Sequence, residues 1–553
     1  MTHFLTLGSP KFVEPRLARL SASSGAPSAW REACKNGMAE ALGGITGDFA
    51  VGLKESDERT VLAVDRFAIQ SLCYRVVDGE LRFAARADEL ADAATEIDPQ
   101  AIFDYLFFHT IPSPRTIFKG IFRLPPAHCA LWENGKFKVA PYWTPQFTDT
   151  GRLSFHDLKD EFRGLLRDAV FAQLDSGKPA CFLSGGTDSS TVAVLIGEVC
   201  GQPAATYSIG FDATGYDEME YARIAAKQFK TLHHEYYLTP ADLVRSIPLV
   251  ASHYDQPFGN SSSLPAYYCA AMAKSDGVSK ILAGDGGDEL FGGNTRYAKQ
   301  RLFGWYGSLP TPLRTHVLEP VFGHPALKKA PLTRKAASYI EQARVPMPDR
   351  LNMHNLLICL GVGNILTPNF LAMVNLDHPA AQQRQVWGQA SAQGSLNRNL
   401  AFDWRYTLAE NDLPKVCGTT QLAGIAVGFP LLDQGLIDFS LKLPQDYKLK
   451  GFQLRWFFKE ALRGFLPEEI IQKQKHGFGL PFGVWATRDS ALKRLAQDSL
   501  HSLGARGLVR KDFVETLLTQ RLPEHPGYYG EMVWILMMLE QWLQQHAPSY
   551  RLT

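Results

Sequence analysis

Two glycine-rich runs contain the residues whose types and spacing could do chemistry. The first is SGGTDSS at 184–190, which follows the apolar segment ACFL. A loop that leaves a strand and begins a helix presents backbone N–H groups at the positive helix end, and such loops bind phosphate oxygens. The run lacks the GxxxxGKS/T spacing and the lysine of the common P-loop. It therefore predicts a phosphate site that differs from that of a kinase or GTPase.

The second run, AGDGGDELFGG at 283–293, also follows an apolar segment and contains three carboxylates, Asp285, Asp288 and Glu289. Alone it would fit a solvated acidic turn. Beside a phosphate site, however, carboxylates can hold Mg²⁺, which prefers a few protein oxygens together with substrate oxygens. Asp188 and Asp288 are the natural pair of metal ligands, because two loops at the carboxyl ends of strands meet in the crevice of an open α/β sheet.

The elements around these runs divide into two predicted domains. Residues 1–150 are β-rich, with short apolar runs at 47–53, 60–69 and 80–87 and a hairpin at 127–143 that turns at Glu133-Asn134-Gly135. A helical pattern begins at Ser154, so a boundary falls near 145–153. From there strands and helices alternate to about residue 300, which predicts a parallel sheet covered by helices. The remainder is helical, and residues 301–400 receive no assignment.

Composition limits the partners. The 553 residues carry a net charge of +1, with 45% apolar and 20% charged residues, so charge gives no reason to expect a nucleic-acid or membrane partner. No apolar stretch approaches the roughly 18 residues of a membrane-spanning helix, and we expect a cytoplasmic protein. The eight cysteines form no CxxC pair, which is typical of reduced, buried thiols and argues against structural zinc.

Five segments together resemble the synthetase domain of the asparagine synthetase family, whose phosphate loop is that of the ATP pyrophosphatases. They are SGGTDSS, YSIGF, YDEMEYARIAAKQFKTLHHE, DQPFGNSSSLPAYY and AGDGGDELFGG, which span most of 154–300. The resemblance implies that a substrate carboxylate attacks the α-phosphate of ATP, pyrophosphate leaves, and an amine then displaces AMP. It also implies ATP and Mg²⁺ as cofactors. The predicted ATP-binding residues are Leu183, Ser184, Gly185, Gly186, Asp188, Ser189, Ser190, Ser208, Ile209, Gly210 and Gly284, and the metal ligands are Asp188 and Asp288.

The fold class implied is α/β: a β-rich glutaminase-like sandwich of the N-terminal-nucleophile type, followed by a parallel-sheet ATP-pyrophosphatase domain with extra helices at 151–553. The family's first domain hydrolyses glutamine with an N-terminal cysteine, whereas this sequence reads Met1-Thr2-His3, and Cys34 is internal. Because that chemistry needs a thiolate beside a free amino group, we expect a retained scaffold without glutaminase activity.

Three further places bear on catalysis. The family's Glu-x-Arg pair before Pro-Phe-Leu-Asp is replaced by Ala426 and Gly428, which predicts an enlarged acceptor region without a bidentate partner for an amino-acid head group. The basic residue that contacts pyrophosphate is Arg455 or Lys459, with Lys475 a further candidate. Asp285 either accepts a proton from the attacking amine or supports the metal site.

These departures favour a lasso-peptide-cyclase-like ligase, in which an Asp or Glu side chain of a precursor peptide is activated and attacked by the peptide's amino terminus. A leader peptidase is then an expected partner. The alternatives are an ammonia-dependent asparagine synthetase, a small-molecule amide- or β-lactam-forming synthetase, and a non-catalytic ATP-binding module. Thiolation of tRNA would need reactive cysteines near the loop, and Cys181 is expected to face the core.

Overall fold

The computed structural model describes residues 4–56, 58–148, 154–324, 331–390, 394–473 and 479–552. No helix among them is long and apolar enough to cross a membrane. The predicted domain boundary near 145–153 falls partly outside these residues and remains a prediction. The α/β class is confirmed, with an N-terminal β-rich part and a C-terminal parallel sheet surrounded by helices.

The N-terminal part is a two-sheet sandwich. A five-stranded antiparallel sheet has the order β1-β4-β5-β9-β10, and a three-stranded sheet has the order β7-β6-β8. The strands are β1 (Phe4–Gly8), β2 (Lys11–Phe12), β3 (Ile45–Thr46), β4 (Phe49–Ser56), β5 (Arg59–Val64), β6 (Cys73–Val77), β7 (Glu80–Ala84), β8 (Phe122–Arg123), β9 (His128–Glu133) and β10 (Lys136–Pro141). The predicted hairpin at 127–143 is confirmed, with Asn134 and Gly135 at positive φ in its turn.

Alternation along the central strands creates two apolar faces. Leu62 and Val64 pack towards the three-stranded sheet, whereas Val61 and Ala63 pack with the buried Trp30 of an N-terminal helix. This period of two is what places successive side chains on opposite faces of a strand. The helices of this part, which the strand pattern did not predict, are Pro15–Ser24, Ala26–Ala33, Met38–Gly43 and Pro99–Phe108, with a short 3₁₀ turn at Cys34–Asn36.

The C-terminal sheet is parallel, with the order β13-β12-β11-β14-β15. Its strands are β11 (Ala180–Phe182), β12 (Ala205–Phe211), β13 (Leu232–Leu238), β14 (Lys280–Leu282) and β15 (Ala426–Gly428). The chain runs outward from β11 through β12 to β13, then returns to place β14 on the other side of β11, where Cys181 pairs with Leu282. This reversal creates a crevice at the carboxyl ends of β11 and β14, where ligands bind in open α/β sheets.

Helices surround the sheet and make up most of the described residues that follow it, as the sequence predicts. Those of the sheet region are Phe155–Phe171, Thr187–Cys200, Met219–Phe229, Pro240–His253, Ser263–Ser275 and Gly287–Phe291. Later α-helices are Thr295–Ser308, Thr311–Leu313, Glu319–Gly323, Pro331–Arg344, Leu356–Leu360, Val362–Ile365, Pro368–Leu371, His378–Gln389, Ser395–Asp403, Leu413–Ala423, Gln434–Lys442, Gln445–Lys448, Trp456–Leu462, Glu468–Gln472, Phe482–Arg488, Ser490–Ala505, Lys511–Thr516, Leu522–Glu524 and Pro526–His546. Segments of π-helix occur at Arg314–Leu318, Trp404–Asp412 and Leu517–Arg521, 3₁₀ turns at Asp349–His354 and Pro430–Leu432, and a two-stranded hairpin joins β16 (Leu449–Lys450) to β17 (Gln453–Leu454).

A buried ionic network joins the two parts of the chain. Glu410, on the π-helical segment Trp404–Asp412, is 2% exposed. It accepts a hydrogen bond of 2.7 Å from Ser113 Oγ and forms ion pairs with Arg123 and Arg405. Arg405 also donates to the Ser113 carbonyl at 2.7 Å. Since Ser113 and Arg123 belong to the N-terminal part, this network fixes the π-helical segment against it.

Candidate active site

The first glycine-rich run forms the turn between β11 and the helix Thr187–Cys200. Gly185 has φ of 68°, and a Cβ there would overlap the backbone where Tyr221 joins Ala222, so only glycine fits. The turn is held by Ser189 Oγ, which accepts from Ser184 N at 3.2 Å and lies 3.1 Å from Ser184 Oγ. The positive end of a 14-residue helix therefore faces the crevice.

The second run forms the turn after β14 and lies directly against the first. A Cβ on Gly284 would come within 2.9 Å of Ser189 N. Asp288 is the second residue of the short helix Gly287–Phe291, whose N-terminal flank, Gly286, has a left-handed backbone. The proximity of the two loops follows from the adjacency of β11 and β14, which the alternating strand pattern predicted only in outline.

Arg455 connects the two predicted metal ligands. Its Nη1 lies 2.8 Å from Asp188 Oδ2, 2.9 Å from Asp288 Oδ1 and 3.1 Å from Thr187 Oγ1, and its Nη2 pairs with Asp188 Oδ1. Arg455 is 5% exposed and adopts a left-handed backbone with φ of 54° just before the helix Trp456–Leu462. Its guanidinium also stacks 3.9 Å above the Phe458 ring. The site thus has two carboxylates that converge on one cation.

A cavity of about 900 Å³ opens over these loops. Most of the predicted site residues line it: Leu183, Ser184, Gly186, Asp188, Ser189, Ser208, Ile209, Gly284, Asp285, Asp288, Arg455 and Lys459. Three predicted ATP contacts do not: Gly185 faces Ala222, Ser190 is fully buried, and Gly210 packs against the Tyr237 ring. Their roles remain predictions, because a backbone N–H can reach a ligand without the residue forming a wall.

The structure adds residues that the sequence reasoning did not single out. Asp412 and Lys415 line the cavity at the start of the helix Leu413–Ala423. Lys415 Nζ lies 3.1 Å from Asp412 Oδ1 and 3.6 Å from Asp285 Oδ1. Buried Glu289 lies on the same wall. The acidic loop and Lys415 are more than a hundred residues apart, so no local pattern marks them as one cluster.

Charge in this cluster is balanced around Lys415. Burial raises the pKa of Asp285 above its ordinary value, and Lys415 only partly opposes that shift. Burial, together with Asp412, raises the pKa of Glu289 to about 8. For Lys415 itself burial favours the neutral amine, but Asp412 and Asp285 outweigh it and raise the pKa. One cation therefore lies among three carboxyl groups, of which Glu289 retains its proton near neutral pH.

Basic side chains approach the phosphate loop from two helices. Lys459 lines the cavity one turn after Arg455, and burial, with a contribution from Arg455, lowers the pKa of Lys459. Lys473, another residue missed by the sequence reasoning, pairs with Glu218 at 3.0 Å and lies 3.4 Å from the Ser184 carbonyl oxygen. Lys475 lies outside the described residues, as does Thr2. Arg455 and Lys459 therefore line the same cavity as the phosphate loop, and their contact with phosphate oxygens remains a prediction.

The predicted enlargement at Ala426 and Gly428 is wrong. Both residues belong to β15, which pairs with β14 in the sheet, and neither lines the large cavity. A Cβ on Gly428 would lie 2.8 Å from Leu282 Cδ2, so the space beside it is already filled. Gly428 instead lines a cavity of only about 40 Å³. Loss of the two charged residues leaves a packed strand and does not widen the acceptor region.

The carboxylates fit a magnesium ion only together with ligand oxygens. Among the described residues there is no group of three or more His, Cys, Asp or Glu side chains that could hold a metal. Asp188 and Asp288 do converge, since both contact the same Arg455 nitrogen. Two carboxylates plus phosphate oxygens match the way Mg²⁺ is bound with nucleotides. The residues present therefore fit Mg²⁺ as part of a nucleotide complex and not as a separate protein site.

Gly287 is expected to be indispensable for nucleotide binding. A Cβ at this position would overlap Asp188 Oδ1 and come within 2.9 Å of Arg455 Nη2. We expect Gly287→Ala to displace Asp188 and weaken Mg·ATP binding roughly tenfold or more, as measured by calorimetry. Gly388→Ala is the matched control, because nothing lies within 4 Å of its added Cβ. Equal affinities in the two variants would contradict the proposed packing.

Glu289→Gln is expected to change how stability depends on pH. The pKa of Glu289 is about 8 in the fold and near 4.5 when unfolded, so the folded state retains a proton that the unfolded state has lost between these values. Its contribution to stability is therefore full below about pH 4.5 and is lost as pH rises towards 8, by at most about 1.4 kcal/mol per unit. We expect the variant to gain stability relative to the parent as pH rises through this window, as measured by urea denaturation. A constant difference would contradict the buried position of Glu289.

Comparisons with known proteins agree with this geometry. Residues 161–544 match the family model described as asparagine synthase, and residues 29–143 match one described as a glutamine amidotransferase domain. Asparagine synthetase (glutamine-hydrolyzing) 1 of Bacillus subtilis is 23% identical over 91% of this chain and 78% of its own length. Asparagine synthetase (glutamine-hydrolyzing) 3 of the same organism is 23% identical over 81% and 68%.

A fungal relative has a different name. The protein named amidase chyE of Penicillium rubens is 23% identical over 80% of this chain and 70% of its own length. The synthetase match covers the parallel sheet, both glycine-rich loops and Arg455. The chain belongs to the asparagine synthase family, and it is an ATP-dependent carbon–nitrogen ligase.

Proposed function

We propose that this ligase adenylates a substrate carboxylate and closes a macrolactam with an amine of the same substrate. A carboxylate oxygen bonds to the α-phosphorus of ATP, the bond to the β-phosphate breaks, and pyrophosphate leaves. The amine then bonds to the acyl carbon and AMP leaves. The convergence of Asp188 and Asp288 on Arg455 beneath a cavity of about 900 Å³ supports the adenylation step, and the ring closure rests on the expectation that the amine comes with the substrate.

The phosphate end of the site suits the first step. Backbone groups of Ser184, Gly186 and Ser189 at the helix N-terminus hold the leaving pyrophosphate. Arg455 and Lys459 supply positive charge as it develops on the leaving group. Asp188 and Asp288 would hold Mg²⁺, which would neutralise phosphate charge when bound. Leu183, Ile209 and Gly284 line the cavity, and we expect their apolar side chains and backbone to hold adenine and ribose.

The acidic cluster suits the second step. The attacking amine must lose a proton, and Asp285 lines the cavity with a pKa raised by burial, which makes it a stronger base than a solvated aspartate. Lys415, 3.6 Å away, holds Asp285 in place. The alternative role for Asp285 is to support Asp188 and the metal site. The variant Asp285→Asn separates the two roles, because loss of a base slows amide formation but leaves pyrophosphate exchange intact.

We also propose that the N-terminal part supplies no ammonia. A glutaminase thiol must ionise readily. Cys34 is fully buried, and burial raises its pKa to about 12. Cys73 is also fully buried and burial raises its pKa. Neither thiol ionises readily, and we expect the amine to come with the substrate, as in a cyclase acting on a precursor peptide made available by a leader peptidase.

The source of the amine tests this proposal. The protein is incubated with Mg·ATP and a peptide that has a free amino terminus and one internal Asp, with and without glutamine or ammonium. We expect AMP formation and a product lighter than the peptide by one water, independent of either nitrogen source. Acetylating the amino terminus should abolish the product and leave pyrophosphate exchange. Product formation that requires glutamine would refute the proposal.

One observation favours a second candidate, an ammonia-dependent asparagine synthetase or another small-molecule amide-forming synthetase. Asp412 and Lys415 form an ion pair on the cavity wall and could bind the amino and carboxyl groups of an amino acid. Pyrophosphate exchange supported by free aspartate alone would favour this candidate over the cyclase. Asp412→Asn should then raise the aspartate KM, and Asp512→Asn, an exposed surface change, should not.

A further inference from the structure

An exposed aromatic pair lies at the edge of the cavity. Phe452, at the tip of the β16–β17 hairpin, lines the cavity and is 50% exposed. Trp305, on the helix Thr295–Ser308, is 57% exposed and meets Phe452 edge to face with ring centroids 5.5 Å apart. Each ring comes from a different element, so the contact is made by the fold and not by the hairpin alone.

Side-chain contacts hold the two elements that carry the rings, the helix Thr295–Ser308 and the β16–β17 hairpin, in place. Arg301, on the helix that carries Trp305, donates to the Leu449 carbonyl of the hairpin at 2.8 Å. Leu449 is buried with Tyr297 of the same helix. Lys450 Nζ lies 3.8 Å above the Trp456 ring, which holds the other side of the hairpin. The rings are therefore presented on rigid supports, and a preorganised apolar surface binds a partner without a large ordering cost.

The apolar surface continues beyond the two rings in the sequence. Further exposed apolar side chains follow Trp305 in the sequence, after the backbone turns extended at Leu309: Leu309, Leu313, Val317 and Val321, each 36–48% exposed. A contiguous exposed apolar patch, such as the one that the two rings form, often marks a binding site. Phe452 is both a wall residue of the cavity and one ring of the aromatic pair. A ligand that covers the pair can therefore extend from there into the cavity.

We propose that Phe452 and Trp305 form an apolar shelf that binds the non-reacting, apolar part of the carboxylate substrate where it leaves the active-site cavity. This inference rests on the proposed adenylation function and names the substrate class: a carboxylate with an extended apolar or aromatic portion, such as an apolar peptide segment. The residues proposed to hold adenine, Leu183 and Ile209, lie at the end of β11 and on β12, away from the helix and hairpin that form the shelf, which leaves the shelf to the acyl group.

Two non-reacting acyl-adenylate analogues test the shelf by binding alone. Acetyl-sulfamoyl-adenosine and phenylhexanoyl-sulfamoyl-adenosine share the nucleotide and differ in the apolar extension. We expect the parent protein to bind the longer analogue at least roughly tenfold more tightly, as measured by calorimetry, since burial of one aromatic group supports a difference of that size. Phe452→Ser and Trp305→Ser should each bring the ratio of the two dissociation constants close to one. Phe171→Ser, an aromatic residue 69% exposed outside the cavity lining, should leave the ratio unchanged.

The outcomes separate the two proposals. If both analogues bind with equal affinity to the parent protein, or if neither variant alters the ratio, the shelf is refuted and the adenylation site stands. If neither analogue binds, the proposed function fails and the shelf fails with it. Sedimentation can show whether Phe452→Ser or Trp305→Ser dissociates an oligomer. If it does, and the ratio of dissociation constants is unchanged, the surface binds a second copy of the chain, and this too refutes the shelf.

Discussion

Asp188→Asn is expected to lower ATP–pyrophosphate exchange by about 10³-fold, since one charge is removed where the nucleotide phosphates and their metal must bind. Asp188 and Asp288 share Arg455, so loss of either charge leaves the buried guanidinium only partly neutralised. The substitution preserves the shape of the side chain, and folding is expected to survive. Exchange is measured with labelled pyrophosphate, Mg·ATP and the peptide that supports the parent activity.

The matched control for this substitution is Asp512→Asn, whose carboxylate is 69% exposed and pairs with Arg510 at the surface. We expect full exchange activity in the control. Arg455→Met should also lose exchange, because it removes the cation that Asp188 and Asp288 contact. Exchange in Asp188→Asn within a few-fold of the parent would remove this residue from the phosphate and metal site.

Glu410→Ala is expected to destabilise the fold by about 3–5 kcal/mol, because it leaves Arg123 and Arg405 buried without their shared carboxylate. Ser113 Oγ would lose its acceptor as well. The free energy of unfolding, measured by urea denaturation, reports the loss. We also expect the substitution to weaken substrate binding, because the π-helical segment that carries Glu410 ends at Asp412 in the cavity wall.

Two variants serve as comparisons for Glu410→Ala. Glu410→Gln keeps the size of the side chain and one acceptor, and we expect a smaller loss of stability. Asp446→Ala removes a carboxylate that is 81% exposed and pairs with Arg301, and we expect a change within about 0.5 kcal/mol. A loss below about 1 kcal/mol for Glu410→Ala would mean that the network does not join the two parts of the chain.

The sequence predicted the site where local pattern determines geometry. SGGTDSS had to follow a strand and begin a helix, and Gly185 adopts the left-handed backbone that only glycine tolerates there. The alternating strands and helices implied a parallel sheet, and the sheet order brings Asp188 and Asp288 to one guanidinium. Of the three basic candidates, Arg455 and Lys459 line the cavity, and Lys475 lies outside the described residues.

What the sequence could not predict depends on long-range packing. Asp412 and Lys415 follow the acidic loop by more than a hundred residues, and they reach it because the helix Leu413–Ala423 packs back against the sheet region, which no spacing rule encodes. Gly428 was interpreted as an absent side chain in a pocket, whereas its strand neighbours fill the space. The shelf of Phe452 and Trp305 joins two elements whose contact is set entirely by tertiary structure.

The transfer of carboxylate oxygen to AMP tests the central claim most directly. A peptide with ¹⁸O in its Asp carboxylate is incubated with the protein and Mg·ATP, and the nucleotide products are analysed by mass spectrometry. Adenylation at the site formed by Asp188, Asp288 and Arg455 predicts AMP that carries one ¹⁸O atom, with unlabelled pyrophosphate. Formation of ADP with ¹⁸O in inorganic phosphate would contradict this account, because the γ-phosphate and not the α-phosphate would then have been attacked.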